Sequence, residues 1–188
     1  MKTTIKILAT LTVVLGFAMG AMAQSGHTDN ANIAGKAIVL QAMDVTGVTD
    51  LDFGWVSPGL AKTINLENVA TGGQVGEGTQ TTGVFTVSAA PNSNVQVQFT
   101  TLPANLAYLT NDLPIGTYTA GYHTANPFSG GTTFTAATGT QVSVGNFPTN
   151  DISGSNGIYV FIGATVTPGA TQAAGTYEAN ITLTATYN

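Results

Sequence analysis

The sequence has no cysteine in its 188 residues, and it has no arginine beside its four lysines. An exported domain without disulfides must be stabilised by its core, by a metal or by assembly. A chain this poor in cations has no electrostatic basis for binding nucleic acid or anionic lipid, because both require clustered Lys and Arg. Composition therefore excludes these two classes of partner.

The first 23 residues have the pattern of a secretory signal peptide. Lys2 and Lys6 precede an apolar run over residues 7–19, and Ala21-Met22-Ala23 follows as a small-x-small cleavage site. The run is shorter than the roughly 20 residues that a membrane-spanning helix needs. We therefore predict export with cleavage before Gln24, no membrane insertion, and a secreted, extracellular or cell-surface location.

Cleavage at that point would leave Lys36 and Lys62 against nine carboxylates, a formal net charge of −7. The polar surface must then consist mainly of Thr, Asn, Gln, Ser and Gly. Such surfaces are common on extracellular β-proteins that pack against copies of themselves.

Apolar residues that recur at every second position predict strands along the whole chain, and no window after the leader predicts an amphipathic helix. Residues 84–87 and 95–99 are predicted to pair with each other across the turn-forming segment 90–94. In the second of these strands Val95, Val97 and Phe99 are expected to face inward. Further strands are predicted at 38–43, 51–54, 60–66, 117–123, 132–136, 140–144 and 159–166. The pattern is weakest over 102–148, which admits an insertion or long loops.

The clearest alternation closes the chain. After Gly175, one face of a predicted strand over 177–187 carries Tyr177, Ala179, Ile181, Leu183, Ala185 and Tyr187. Many short strands with regular turn signals indicate an all-β sandwich or barrel. We favour a Greek-key β-sandwich as a single domain over 34–188, preceded by a flexible N-terminal tail over 24–33.

Three short motifs carry a resemblance to a known family. Leu51-Asp52-Phe53-Gly54, the Ala90-Pro91-Asn92 turn and the closing Ala174-Gly175-Thr176-Tyr177 resemble the exported bacterial family called domain of unknown function 4402. The closing strand is also similar to the end of spore-coat-U-like and archaic chaperone–usher pilins, although the cysteine pair of many such pilins is missing here. The resemblance implies an immunoglobulin-like sandwich and filament assembly by donor-strand exchange, in which one subunit's N-terminal strand completes the sheet of the next.

Under that resemblance the donor strand would lie within residues 33–43, because residues 24–32 are polar. Its apolar residues are Ile33, Ile38, Leu40 and Ala42. The same residues serve equally well as the domain's own first strand. The C-terminal strand would border the acceptor groove, or it is an ordinary strand of a sheet. The expected partners are copies of the same chain, together with a periplasmic chaperone or an outer-membrane assembly factor.

The carboxylates give no recognisable metal or catalytic site. Asp44, Asp50 and Asp52 lie close together in the sequence, but their spacing matches no calcium loop. Glu67 and Glu77 flank a glycine-rich turn, and neither has the apolar setting that raises the pKa of a glycosidase acid. We predict no metal and no cofactor.

The histidines and aromatic residues add no catalytic group. His27 and His123 have no evident relay partners, and no Gly-x-Ser-x-Gly elbow is present, so we predict that the protein is not an enzyme. Trp55 is expected to cap the core beside Phe53. The alternative is a sugar-stacking platform that Trp55 forms with some of the tyrosines.

Together these features predict a structural subunit of an extracellular filament, matrix or surface layer. The alternative is a monomeric cell-surface module that binds a glycan or a protein.

Overall fold

Eleven strands occur within residues 32–73, 78–147 and 157–188, which are the residues that this computed structural model describes. The predicted leader and residues 24–31 of the predicted tail lie outside these ranges. No helix occurs in the described ranges, so none there is long and apolar enough to cross a membrane. The strands are β1 (Asp44–Thr49), β2 (Lys62–Ile64), β3 (Ala70–Gly72), β4 (Gly83–Ser88), β5 (Asn94–Thr101), β6 (Asn105–Tyr108), β7 (Asn111–His123), β8 (Thr132–Thr135), β9 (Gln141–Asn146), β10 (Gly157–Val166) and β11 (Thr182–Tyr187).

The larger of two antiparallel sheets has eight strands built around β10. β7 pairs along one edge of β10, while β4 and then β2 pair along the other. β1 extends the sheet beyond β4, β3 extends it beyond β2, and β6 and β8 pair with β7. The long apolar run of β10 is explained by this central position, since a central strand is covered on both faces.

The smaller sheet has three strands in the order β11-β5-β9. Its central strand β5 has the predicted alternation, because Val95, Val97 and Phe99 are buried while Gln96 and Gln98 are partly exposed. These buried side chains form the main core with Val87, Val160 and Ile162 of the larger sheet. The protein is therefore all-β, with two sheets packed as in a β-sandwich.

The predicted pairing of residues 84–87 with 95–99 is wrong. β4 pairs with β1 and β10 in the larger sheet, whereas β5 pairs with β11 and β9 in the smaller one. The turn-forming segment between them crosses from one sheet to the other, and Ser93 steadies it by donating its hydroxyl to the Ala90 carbonyl at 2.6 Å. Sheets pack about 10 Å apart, a distance that five residues span easily.

The two ends of the predicted β-domain also differ from expectation. Residues 38–43 form no strand, and β1 begins only at Asp44. The C-terminal strand covers Thr182–Tyr187, while 176–181 holds only an isolated bridge at Glu178. The chain divides into two compact units after Ile38, and Val39–Asn188 is the second of them. Residues 32–38 are exposed and contain no strand. The weakly patterned segment 102–148 contains the four strands β6 to β9 rather than an insertion.

The main core depends on Phe99, which is 1% exposed and packs edge-on against Phe85 and nearly parallel to Phe134. We expect Phe99→Ala to lower the free energy of unfolding by about 3–5 kcal/mol, because it leaves a cavity between the sheets. Gln98→Ala, one position along the same strand, should cost less than about 1 kcal/mol. Urea unfolding of both variants checks this, and equal losses would contradict the assigned core.

Candidate functional site

The most conspicuous feature of the sandwich is a groove over the inner face of the larger sheet, walled by the segment that leads into β11. β11 pairs with β5 on one side and has no strand partner on its other side within the described residues. Three strands cannot cover the inner face of an eight-stranded sheet. The uncovered part forms a groove of about 910 Å³, a volume within the roughly 300–1,000 Å³ typical of ligand-binding pockets.

The floor of the groove is apolar and comes mainly from the larger sheet. Phe85 of β4 and Ile162 of β10 lie nearest the main core, and Leu113 and Ile115 of β7 continue the floor. Leu113 and Ile115 belong to a second buried cluster with Phe53 and Val166, against which Leu51 and Val56 pack. The groove thus extends the hydrophobic interior to the surface.

A strap over residues 172–181 forms the opposite wall. A Cβ at Gly175 would overlap the Tyr108 ring, so only glycine permits this close approach. Tyr108 and Tyr177 pack with their ring centroids 5.6 Å apart. The Tyr177 hydroxyl donates to the Ala173 carbonyl at 2.8 Å and accepts from Gln172 Nε2 at 2.8 Å. The Gly175 and Tyr177 motif therefore holds the strap against the β6–β7 hairpin.

The backbone of Glu178 completes this attachment. Its carbonyl accepts from Ala107 N at 2.9 Å and its N–H donates to Ala107 O at 3.1 Å. These bonds tie the strap to β6 and draw it away from β5. They explain why residues 177–181 alternate like a strand and yet do not extend β11.

The edges of the two sheets meet at the end of the sandwich opposite the strap. The Tyr187 hydroxyl donates to the carbonyl of Gln41 at 2.6 Å and accepts from Ala90 N at 2.9 Å. Gln41 lies three residues before β1, so this side chain joins the last residue of β11 to the chain that enters β1. We call this contact the Tyr187 latch. The groove lies beyond it and is lined there by Gly47 and Thr49 of β1 and by the strap.

The mouth of the groove is polar and carries the single tryptophan of the chain. Trp55 is 67% exposed, so the expectation that it caps the core is wrong. Its position is fixed through its backbone, because the buried Lys62 donates Nζ to the Trp55 carbonyl at 3.0 Å. Trp55 is therefore free to contact whatever occupies the groove.

Three carboxylates, Asp50, Asp52 and Glu178, also line the groove, and all three residues are exposed. Asp52 Oδ1 accepts from Gly54 N at 2.7 Å, which fixes the loop that leads to Trp55. No group of three His, Cys, Asp or Glu side chains arranged to hold a metal ion occurs in the described ranges.

Tyr118 joins the two buried clusters next to this floor, since it packs against both. Desolvation by burial raises its pKa to about 12. Its hydroxyl donates to the Pro103 carbonyl at 2.6 Å, and the raised pKa keeps that proton in place.

The structure leaves the predicted donor residues without strand partners. Ile33 is 97% exposed and Ile38 is 88% exposed, while Leu40 and Ala42 are also exposed. Residues 32–43 contain no strand. Val39, between Ile38 and Leu40, is also exposed, so residues 38–40 present three consecutive apolar side chains to solvent.

The predicted acceptor residues divide into two groups. Leu183 is buried in the main core, and Ala185 and Tyr187 pack against it. Tyr177, Ala179 and Ile181 line the groove through the strap. Sequence reasoning missed the groove floor, because alternation shows that one face of a strand is buried but not which part of a sheet stays uncovered.

Comparison of the chain with protein-family models, with curated proteins and with solved structures finds no match. The resemblance to the family called domain of unknown function 4402 and to pilins therefore stays a prediction.

The Tyr187 latch yields a direct test of the closed end. Tyr187→Phe leaves the Ala90 N–H and the Gln41 carbonyl without their partner, and we expect a loss of about 1–3 kcal/mol in the free energy of unfolding. Tyr159→Phe is the matched control, because the Tyr159 hydroxyl makes no hydrogen bond within the described residues. Urea titrations in which both variants lose the same stability would show that the latch contributes nothing.

Proposed function

We propose that this protein is a self-assembling structural subunit of an extracellular filament, matrix or surface layer. In this proposal residues 33–40 of one copy, which we call the tail from here on, fill the groove of the next copy by strand addition, while residues 41–43 stay attached to their own sandwich. One observation carries it: within the described residues, the chain exposes the apolar segment 38–40 and also has an open groove with an apolar floor.

The backbone at the groove supports strand addition. An edge strand presents a row of unpaired N–H and C=O groups, and an extended peptide adds to such an edge through main-chain hydrogen bonds. The outer edge of β11 has no strand partner in the described ranges, and the strap that lines the groove leads directly into β11 at Thr182. Side chains at alternate positions of the added strand then point at the apolar floor.

The tail has the matching pattern. Ile38 and Leu40 share one face of an extended strand, while Val39 lies on the other. Burial of one Ile or Leu side chain contributes about 1.5–3 kcal/mol of binding free energy. Two such side chains therefore offset the conformational entropy lost when a short segment becomes ordered.

The path of the chain favours insertion into another copy. Gln41 is held by the Tyr187 latch, and β1 then runs from Asp44 towards the groove. Met43 packs against the main core of the same copy, so the chain is anchored to its own sandwich just after the proposed donor residues. A head-to-tail contact between different patches generates a filament when its rotation does not close a ring.

An open apolar groove is an aggregation hazard for a lone subunit. A periplasmic chaperone or an outer-membrane assembly factor that covers it during export fits this proposal. An immunoglobulin-like Greek-key topology also fits it, since the chain passes between two antiparallel sheets as in that fold.

A second candidate function is supported by one feature, the exposed Trp55 beside carboxylates at the mouth of the groove. An exposed aromatic ring next to hydrogen-bonding groups suits a monomeric glycan-binding module.

Tail variants test the assembly. We expect Ile38→Asn and Leu40→Asn each to raise the protein concentration at half-assembly about tenfold or more, because each removes an apolar anchor. Val39→Asn is the matched control, since Val39 is 94% exposed and lies on the opposite face, and we expect a change below about threefold. Sedimentation velocity measures assembly, and a blue shift of Trp55 emission reports filling of the groove.

Equal effects of all three variants would contradict insertion of one strand face. A protein that stays monomeric at every concentration would contradict assembly altogether. A monomer whose Trp55 emission responds to polysaccharide would favour the glycan-binding module.

A further inference from the structure

The charges of the described residues are distributed unevenly between the tail and the sandwich. Lys36 and Lys62 are the two lysines in these ranges, and Lys62 is 0% exposed. Lys36, in the tail, is thus the single exposed cationic side chain that they contain. Six carboxylates lie in the same ranges, and three of them line the groove. The tail and the groove are therefore complementary in charge as well as in hydrophobicity.

The position of Lys36 in the tail determines which way its side chain points when the tail is inserted. Lys36 lies two residues before Ile38 and four before Leu40, so all three share one face of an extended strand. Two residues of strand span roughly 7 Å. When Ile38 and Leu40 enter the groove, the Lys36 side chain also points at it.

An ammonium group cannot be left among the apolar residues of the floor, because a buried charge without a partner is strongly disfavoured. The lysine stem can cover apolar surface while its charged end reaches the polar rim. Rim carboxylates are present on both sides, with Asp50 and Asp52 after β1 and Glu178 on the strap.

We infer that Lys36 of one copy pairs with the carboxylates Asp50, Asp52 and Glu178 at the groove of the next copy, and that this pairing fixes the register of the inserted strand. A slip by one residue points Lys36 away from the groove and Val39 into it. A slip by two residues moves Lys36 away from the rim carboxylates. The pair thus selects one register from several that the apolar residues alone would accept. The inference rests on the proposed function.

Charge variants of the full chain test the inference. Lys36→Gln should raise the concentration at half-assembly about threefold, and Lys36→Glu about tenfold, at low salt. Both effects should shrink at about 1 M salt, where screening acts within about 3 Å. A control with Thr133→Glu and Thr135→Glu changes the net charge by the same two units on β8, away from the groove, and we expect it to assemble like the unmodified protein.

Reversing the charges of both proposed partners is the decisive experiment. Asp50→Lys with Glu178→Lys should weaken assembly as Lys36→Glu does, and the chain that carries all three changes should assemble within about threefold of the unmodified protein. Asp52 is left unchanged because its carboxylate holds the Gly54 loop. Circular dichroism of each variant checks that the sandwich is retained.

Restored assembly in the triple variant, with weakened assembly in its parents, supports the pairing. The pairing is overturned if the Lys36→Glu variant assembles like the unmodified protein. It is also overturned if the triple variant assembles more weakly than both of its parents. In either of these results the proposed function stands as long as Ile38→Asn still blocks assembly. Loss of the Ile38→Asn effect would instead remove the proposed function.

Discussion

The unequal widths of the two sheets determine the rest of this structure. Eight strands face three, so the smaller sheet buries only part of the apolar inner face of the larger one. Where both sheets overlap, Val97, Phe99 and Val160 are almost completely buried. Beyond β11 the same inner face continues as the groove floor. Among the described residues, this difference in width leaves the outer edge of β11 without a strand partner and leaves room for the groove, at whose mouth Trp55 is exposed.

The scarcity of charge has a related consequence. With almost no cations, the protein cannot build extensive surface ion pairs. Its surface is rich in threonine and amide side chains, which have no charge and add little to the long-range electrostatic potential. In the proposed assembly, Lys36 is the one exposed lysine of the described residues and therefore the main charged group of the tail that can affect how two copies meet. Burial supplies most of the proposed binding energy, and charge supplies its specificity, as in other protein interfaces.

The sequence predicted the all-β class, the inward face of β5 and the position of β10, because each depends on local alternation or on an uninterrupted apolar run. It could not predict strand partners. β4 and β5 are neighbours in sequence with turn residues between them, and only packing shows that they lie in different sheets. Tyr177 and Ala179 alternate like Leu183 and Ala185, but the Tyr108 contact of Tyr177 and the Ala107 hydrogen bonds of Glu178 hold this segment in the strap, against residues about 70 positions earlier. The groove floor depends on such long-range contacts and has no local signature.

Disulfide cross-linking tests the central claim most directly, because the chain has no cysteine of its own. A variant with Leu40→Cys and Ile181→Cys places one thiol in the tail and one at the groove. We predict that mild oxidation converts it into a ladder of covalent multimers on a non-reducing gel, while each single-cysteine variant stops at dimers. A cross-link confined to the monomer, or no cross-link at concentrations where the protein assembles, would contradict insertion of the tail into the neighbouring copy.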